Sequence, residues 1–198
     1  MSKIKENSGV LVQGHIKIHD PESGAVFVNK RNAIHYENMS IALAESVANQ
    51  GQGFISSMAF GNGGTSVDPT GIITYLTPNS TGTNASLYNQ TFTKIVDDRS
   101  VSNLDPQRNK IETRHVNGTN YTDVVVTCLL DYGEPNGQDA TDTASASDSL
   151  YVFDELGLVS YASSGTGKLL THVVFHPVQK SLNRLILSLI HISEPTRR

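Results

Sequence analysis

Seven histidines, nineteen acidic residues and one cysteine are the groups in this 198-residue chain that could carry chemistry. A metal site is the first possibility. His15 and His19 share one face of an alternating segment, and His172 and His176 share a face of another. Residues four apart on a strand lie about 13 Å from each other, too far for two imidazoles to share one ion. A metal would need ligands from other strands, which the spacing does not name. No metal and no cofactor is expected, and these histidines read as exposed polar-face side chains. The acid pairs Asp97-Asp98 and Asp154-Glu155 suggest general acid and base. Neighbours on a strand point to opposite faces, so neither pair is expected to converge on one substrate. Glu155 reads instead as a structural carboxylate, buried with Phe153 and needing backbone N–H groups or a cation. Cys128, inside the apolar run 124–130 with nothing basic beside it, reads as a small buried hydrophobe. The run Gly61-Asn62-Gly63-Gly64 invites a phosphate reading. However, no Gly-Lys-Ser/Thr follows, and a proline-broken loop stands where a helix N-terminus would be needed. With no serine in a nucleophile elbow and no Cys/His pairing, the expectation is a protein that is not an enzyme.

Charge and composition narrow the class further. Net charge is -4 and the isoelectric point is near 5.9, which argues against a nucleic-acid or anionic-membrane surface. No apolar run approaches the ~20 residues of a membrane span. The opening MSKIKENSG lacks the apolar centre of a signal peptide, so a soluble protein, cytosolic until assembled, is expected. Without such a leader the six Asn-x-Ser/Thr triplets read as polar loops rather than glycosylation sites. Hydrophobic content of 37% and charged content of 17% are both low. Gly, Ser, Thr, Asn and Asp fill the difference, as in the turns of all-β proteins.

The elements that must position these residues are mostly strands. Residues 10–19 alternate, with Val10, Val12, Ile16 and Ile18 on one face. The turn Asp20-Pro21-Glu22-Ser23-Gly24 then returns the chain through 25–29 as a hairpin. One amphipathic helix is expected over 37–49, on a face of Ile41, Ala44 and Ala48 flanked by Leu43 and Val47, with Gly51 as its left-handed stop. Segment 54–60 is a strand running into the glycines, where positive φ or close approach to another chain is required. Of the polar stretch 65–86 only 72–76 reads as strand. Further strands are expected at 87–96, 110–115 and 121–132, the last two joined at Asn117-Gly118. Residues 133–148 read as a mobile loop, and 151–160 with 169–178 as a last hairpin. The fold class is therefore an antiparallel β-sandwich with one helix. A single domain spans 1–186: an N-terminal hairpin at 10–29, the helix, and a sandwich core over 54–182.

The end of the chain reads differently. Leu187 to Arg197, LSLIHISEPTR, looks like the conceptual translation of a transposase sequencing adapter. Residues 187–198 are accordingly set aside from the fold as a non-native tail on a metagenomic sequence whose natural closing strand lay after Ile186. Because LILSLIHI is apolar, it is expected to dock as a poorly specified strand or to lie loose. Residues 193–198 are expected to be disordered, and the exposed segment to be an aggregation hazard.

The order of landmarks carries a resemblance. Met58 to Gly64, Leu87 to Gln90, Asp154 to Leu158, Gly167 to Thr171 and Lys180 correspond in order to the segments of one phage family. This pattern resembles the N-terminal, baseplate-attaching domain of tailed-phage tail-collar and tail-fibre proteins, over residues 40–182. Gln90 stands where that family has glutamate, the hairpin of 10–29 is additional, and no fibre shaft follows. The resemblance implies a virion structural protein of the tail, collar or baseplate, assembled in the host cytoplasm. Its partners would be other virion proteins and further copies of itself, with no nucleic acid and no membrane. Gly61, Asn62, Gly63, Gly64, Glu155 and Lys180 would be its contact residues. The alternatives are a capsid decoration protein and a β-sandwich that binds host-surface carbohydrate. The lack of tryptophan and the 7% aromatic content count against the latter.

Overall fold

The structure, a computed structural model, describes residues 10–115, 117–120, 122–135 and 150–193. The strands are β1 (Gln13–His19), β2 (Val26–Ile34), β3 (Ile55–Gly61), β4 (Thr65–Val67), β5 (Ile73–Tyr75), β6 (Gln90–Ile95), β7 (Lys110–His115), β8 (Thr122–Leu130), β9 (Leu150–Ser160), β10 (Thr171–Ser181) and β11 (Ile186–Ser193). A helix, α1 (Tyr36–Val47), follows β2.

Nine strands form one sheet in the order β6-β3-β9-β10-β2-β1-β11-β8-β7, and β4 with β5 forms a separate hairpin. Every pairing is antiparallel. At β10–β2 only Thr171–Ile34 and His172–Ala33 pair, so the sheet divides there into two wings and curls over. The expected two-layered, mainly-β architecture is thus built from one continuous sheet. Its wings share a single core. Met58, Phe60, Phe153 and Phe175 come from one wing, and Ile16, Ile18, Val126, Leu130 and Ile190 from the other. Phe153 is the centre, with Phe60 and Phe175 edge-on at 5.3 Å and 5.8 Å, the arrangement the ring quadrupole favours. Cys128 is buried in this core, and burial pushes its thiol up to about 12, so it stays protonated.

Three expectations change. The helix buries Asn38, Met39 and Ala42, while Ala44, Leu43 and Val47 are exposed. Its first turn is tied down because the Asn38 amide donates to the Leu169 carbonyl at 2.9 Å. A tether at one end therefore sets the buried face, in place of the apolar stripe. The polar stretch after Gly64 holds a strand that the sequence reading missed, β4, paired to β5.

The third change is at the C-terminus. Residues 187–193, set aside as part of the tail, form with Ile186 a central strand paired to β1 and β8. The physical reason is period: Ile186, Ser188, Ile190 and Ile192 alternate onto the core face. Ser193 pairs with Gln13 and is ordered, while 194–198 lie outside the described residues, as do 136–148 of the expected mobile loop. One position is poorly matched. Ser188 sits between Ile18 and Cys128, fully buried, and its hydroxyl has no partner. We expect Ser188→Ala to stabilise the protein by about 1 kcal/mol by removing that unsatisfied group. An unchanged or lower denaturation midpoint would show that the hydroxyl is solvated.

Candidate functional site

The glycine run ends β3 and crosses toward β9, where Gly61 pairs with Glu155. Strand β9 does not alternate at this point. Phe153 and Leu156 are three apart yet both lie in the core, while β10 inserts extra residues between Val174 and Val178. This bulge breaks the period, and both Asp154 and Glu155 turn their carboxylates to the glycine loop. The expectation that adjacent acids diverge is corrected for that reason. Asp154 accepts from the Gly64 and Thr65 amides at 2.8 Å and 2.9 Å, and from the Thr65 hydroxyl. Glu155 Oε1 accepts from the Gly63 and Asn89 amides at 3.1 Å and 2.8 Å. Its Oε2 accepts from the Tyr88 amide and from His172, both at 2.9 Å.

His172, expected to be exposed, is fully buried beneath the loop, whereas His176 stays at the surface beside the Tyr75 hydroxyl. The Asn79 amide donates to His172 Nδ1 at 2.7 Å. That nitrogen therefore carries no proton, and the imidazole donates to Glu155 from Nε2. His35, capping α1, makes a further tie through its Nε2 to the Gly82 carbonyl at 3.0 Å. Asp154, Glu155, His172 and His35 together hold the segment 63–89 at six of its amides, one hydroxyl and one carbonyl. The role foreseen for Glu155, a buried acid satisfied by backbone N–H groups, is what the geometry shows. The sequence reading did not find His172 or His35 as anchors. For His172 the available signal was its place inside the largely apolar run 169–175, whereas His35 stands in no such run.

Burial opposes ionisation of Glu155, but hydrogen bonds from His172 and from the Asn89, Tyr88 and Gly63 amides outweigh it and hold the carboxyl below its ordinary value. A depressed folded-state pKa stabilises the fold above the unfolded value of 4.5 and is lost as pH falls through the folded one. We therefore expect stability to drop on acidification below about pH 4.5, with amides 63, 88 and 89 losing exchange protection first. Uniform loss of protection across the chain would exclude this local release.

Gly61, Gly63 and Gly64 all lie outside the left-handed region, and the close approach they permit is by this chain's own residues, not by another chain. A Cβ on Gly61 would stand 2.5 Å from the Asn89 carbonyl oxygen and 2.5 Å from Glu155 Oε1. On Gly63 it would stand 2.7 Å from the Asn89 nitrogen. Gly61→Ala should cost about 1–3 kcal/mol, and valine more. Melting equal to wild type would show that the loop yields. Lys180, placed among the contact residues, is buried instead. Its ammonium donates to the Asp131 and Ser181 carbonyls at 2.9 Å each. Burial lowers its pKa, against the opposing pull of Glu134 and Asp131. It braces the turn after β8 and is not presented to a partner.

The anchored segment projects the β4–β5 hairpin, whose Val67, Ile72, Tyr75 and Leu76 are 62%, 64%, 51% and 40% exposed. Asn62 is tied to Asn89, its Oδ1 accepting from the Asn89 side-chain Nδ2 at 2.6 Å. Among the described residues no group of three or more His, Cys, Asp or Glu could hold a metal. Nor, among the described residues, is any helix long and apolar enough to cross a membrane. Chemically, both carboxylates and both ring nitrogens of His172 are already bound, so the arrangement positions a loop.

Fold and site together define a mainly-β protein in which a curled antiparallel sheet carries a loop pinned by buried acids. No known family matches the chain, and no curated protein or solved structure is significantly similar to it.

Proposed function

We propose that this is a non-enzymatic structural protein of a tailed-phage virion, a docking module of the tail, collar or baseplate that binds copies of itself and neighbouring virion proteins. The sequence landmarks running from Met58 to Lys180 support the phage assignment. The observation that carries the docking role is the anchored hairpin. Side chains so exposed and apolar are costly to keep in water, and here they are held in a fixed place by groups that have no other use. The buried acids, saturated by hydrogen bonds, support the non-enzymatic part.

The test uses the phage that encodes the chain. Cross-linking mass spectrometry of purified particles should place β4–β5 against another virion protein. The double variant Ile72→Asp/Tyr75→Ser should fold like wild type but fail to enter particles. Absence of the chain from purified particles, or normal incorporation of the double variant, would overturn the proposal.

A further inference from the structure

A concave site lies on the face of β3, β6 and β9 that is turned away from the main core. It encloses about 260 Å³. Ser57 and Thr93 line its floor, Ser86 and Gln90 one side, and Tyr161 and Thr166 the other. None of the residues lining it is charged. Leu87, Val159 and Leu169 add apolar surface to the lining, and Leu87 and Leu169 form with Ala59 a small apolar cluster separate from the main core. The side-chain hydroxyls of Ser57, Ser86, Thr166 and Tyr161 make no hydrogen bond among the described residues. Gln90 donates to the Thr93 hydroxyl at 2.8 Å, which leaves the amide oxygen and the Thr93 proton to face outward. Tyr161 is held flat by stacking on Phe54 at 4.9 Å and 8°.

We infer that this pocket is a subsite for one neutral pyranose ring of a saccharide. At ~30 Å³ per water the space holds roughly nine waters, enough for a single sugar ring that continues outward. A pyranose offers hydroxyls that donate and accept around its edge and C–H groups on its faces. The pocket answers with hydroxyls and an amide that do both, and with an aromatic ring fixed in orientation before binding. Anionic sugars have no cation here to meet them, and an apolar ligand would strand the free hydroxyls. The site is remote in role from the β4–β5 hairpin, and the inference stands independently of the docking proposal.

Amide chemical-shift titration of the whole chain tests it. The neutral probes are the methyl glycosides of glucose, galactose, mannose and N-acetylglucosamine. N-acetylneuraminic acid and glucose 6-phosphate are the charged probes, and an acetylated, amidated Ser/Gly peptide is the third kind. At least one neutral glycoside should give saturable millimolar shifts centred on residues 57, 86, 93 and 166. Thr93→Val, which keeps shape on a strand surface, and Ser57→Leu, which fills the floor, should each weaken binding at least ~10-fold with melting unchanged, a loss of about 1.4 kcal/mol. Should Ser57→Leu fail to fold, Thr93→Val alone decides. The inference is overturned by no shift with any neutral glycoside, by preference for a charged sugar or the peptide, or by undiminished binding in Thr93→Val.

Discussion

Replacing Glu155 by alanine should cost about 3–5 kcal/mol, a large share of the ~5–15 kcal/mol that holds a typical domain together. The carboxylate receives three backbone amides and an imidazole N–H in a site with no access to water. Each donor stranded by its removal costs roughly 1–3 kcal/mol, offset in part by the desolvation that the charge itself suffered. Glu155→Gln is the sharper variant. It keeps the volume but points an NH₂ at one pair of donors, and His172 cannot compensate by shifting its proton because the Asn79 amide occupies Nδ1. We expect Gln to recover less than half of the loss. Urea denaturation gives the magnitude and hydrogen exchange at Gly63, Tyr88 and Asn89 gives the location. A Gln variant as stable as wild type would mean that the carboxylate is protonated in the folded state.

The second large effect concerns β11. A chain ending at Leu185 should not fold to the same structure, because the sheet order places β11 between β1 and β8. Without it, β7 and β8 lose their ladder to the other strands, and Ile16, Ile18 and Val126 lose Ile190 from the shared core. A finer variant, Ile190→Ala, should cost about 2–5 kcal/mol, as deletion of a fully buried aliphatic side chain does. Far-UV circular dichroism and light scattering should show lost strand signal and association through the bared edges for the truncated chain. Retention of a monomeric, cooperative melt by the truncated chain would show that strands β1 and β8 close on each other directly.

Much of the fold could be read directly, because period and turn chemistry act over a few residues. The hairpin through Asp20–Gly24 forms as its Asp-Pro and Gly residues require, with the Asp20 carboxylate accepting from the Glu22 and Ser23 amides. The strand at 110–115 and its partner are where alternation puts them. The helix α1, the burial of Cys128 and the internal use of Glu155 follow from equally local patterns. The helix face did not, since Asn38 bonding to a carbonyl over 130 residues away outweighs a weak apolar stripe.

The sequence by itself determined a mainly antiparallel β protein, a glycine run at the end of β3, and a buried acid that must find donors. Tertiary structure decided which donors those were. The irregular pairing of β9 with β10, where β10 carries the extra residues between Val174 and Val178, lets Asp154 and Glu155 face the same loop, and no pattern within 150–160 announces it. It likewise decided that LILSLIHI is a central strand, because only the vacancy between β1 and β8 distinguishes an apolar alternating tail from a structural element. The neutral, hydroxyl-lined pocket is of the same kind. Ser57, Ser86, Thr93 and Thr166 are unremarkable polar residues in sequence, and they become a site only when sheet register and two loops bring them to one concave surface. Short-range preferences are written in neighbouring residues, whereas long-range contacts depend on which of many compatible surfaces the folded chain brings together.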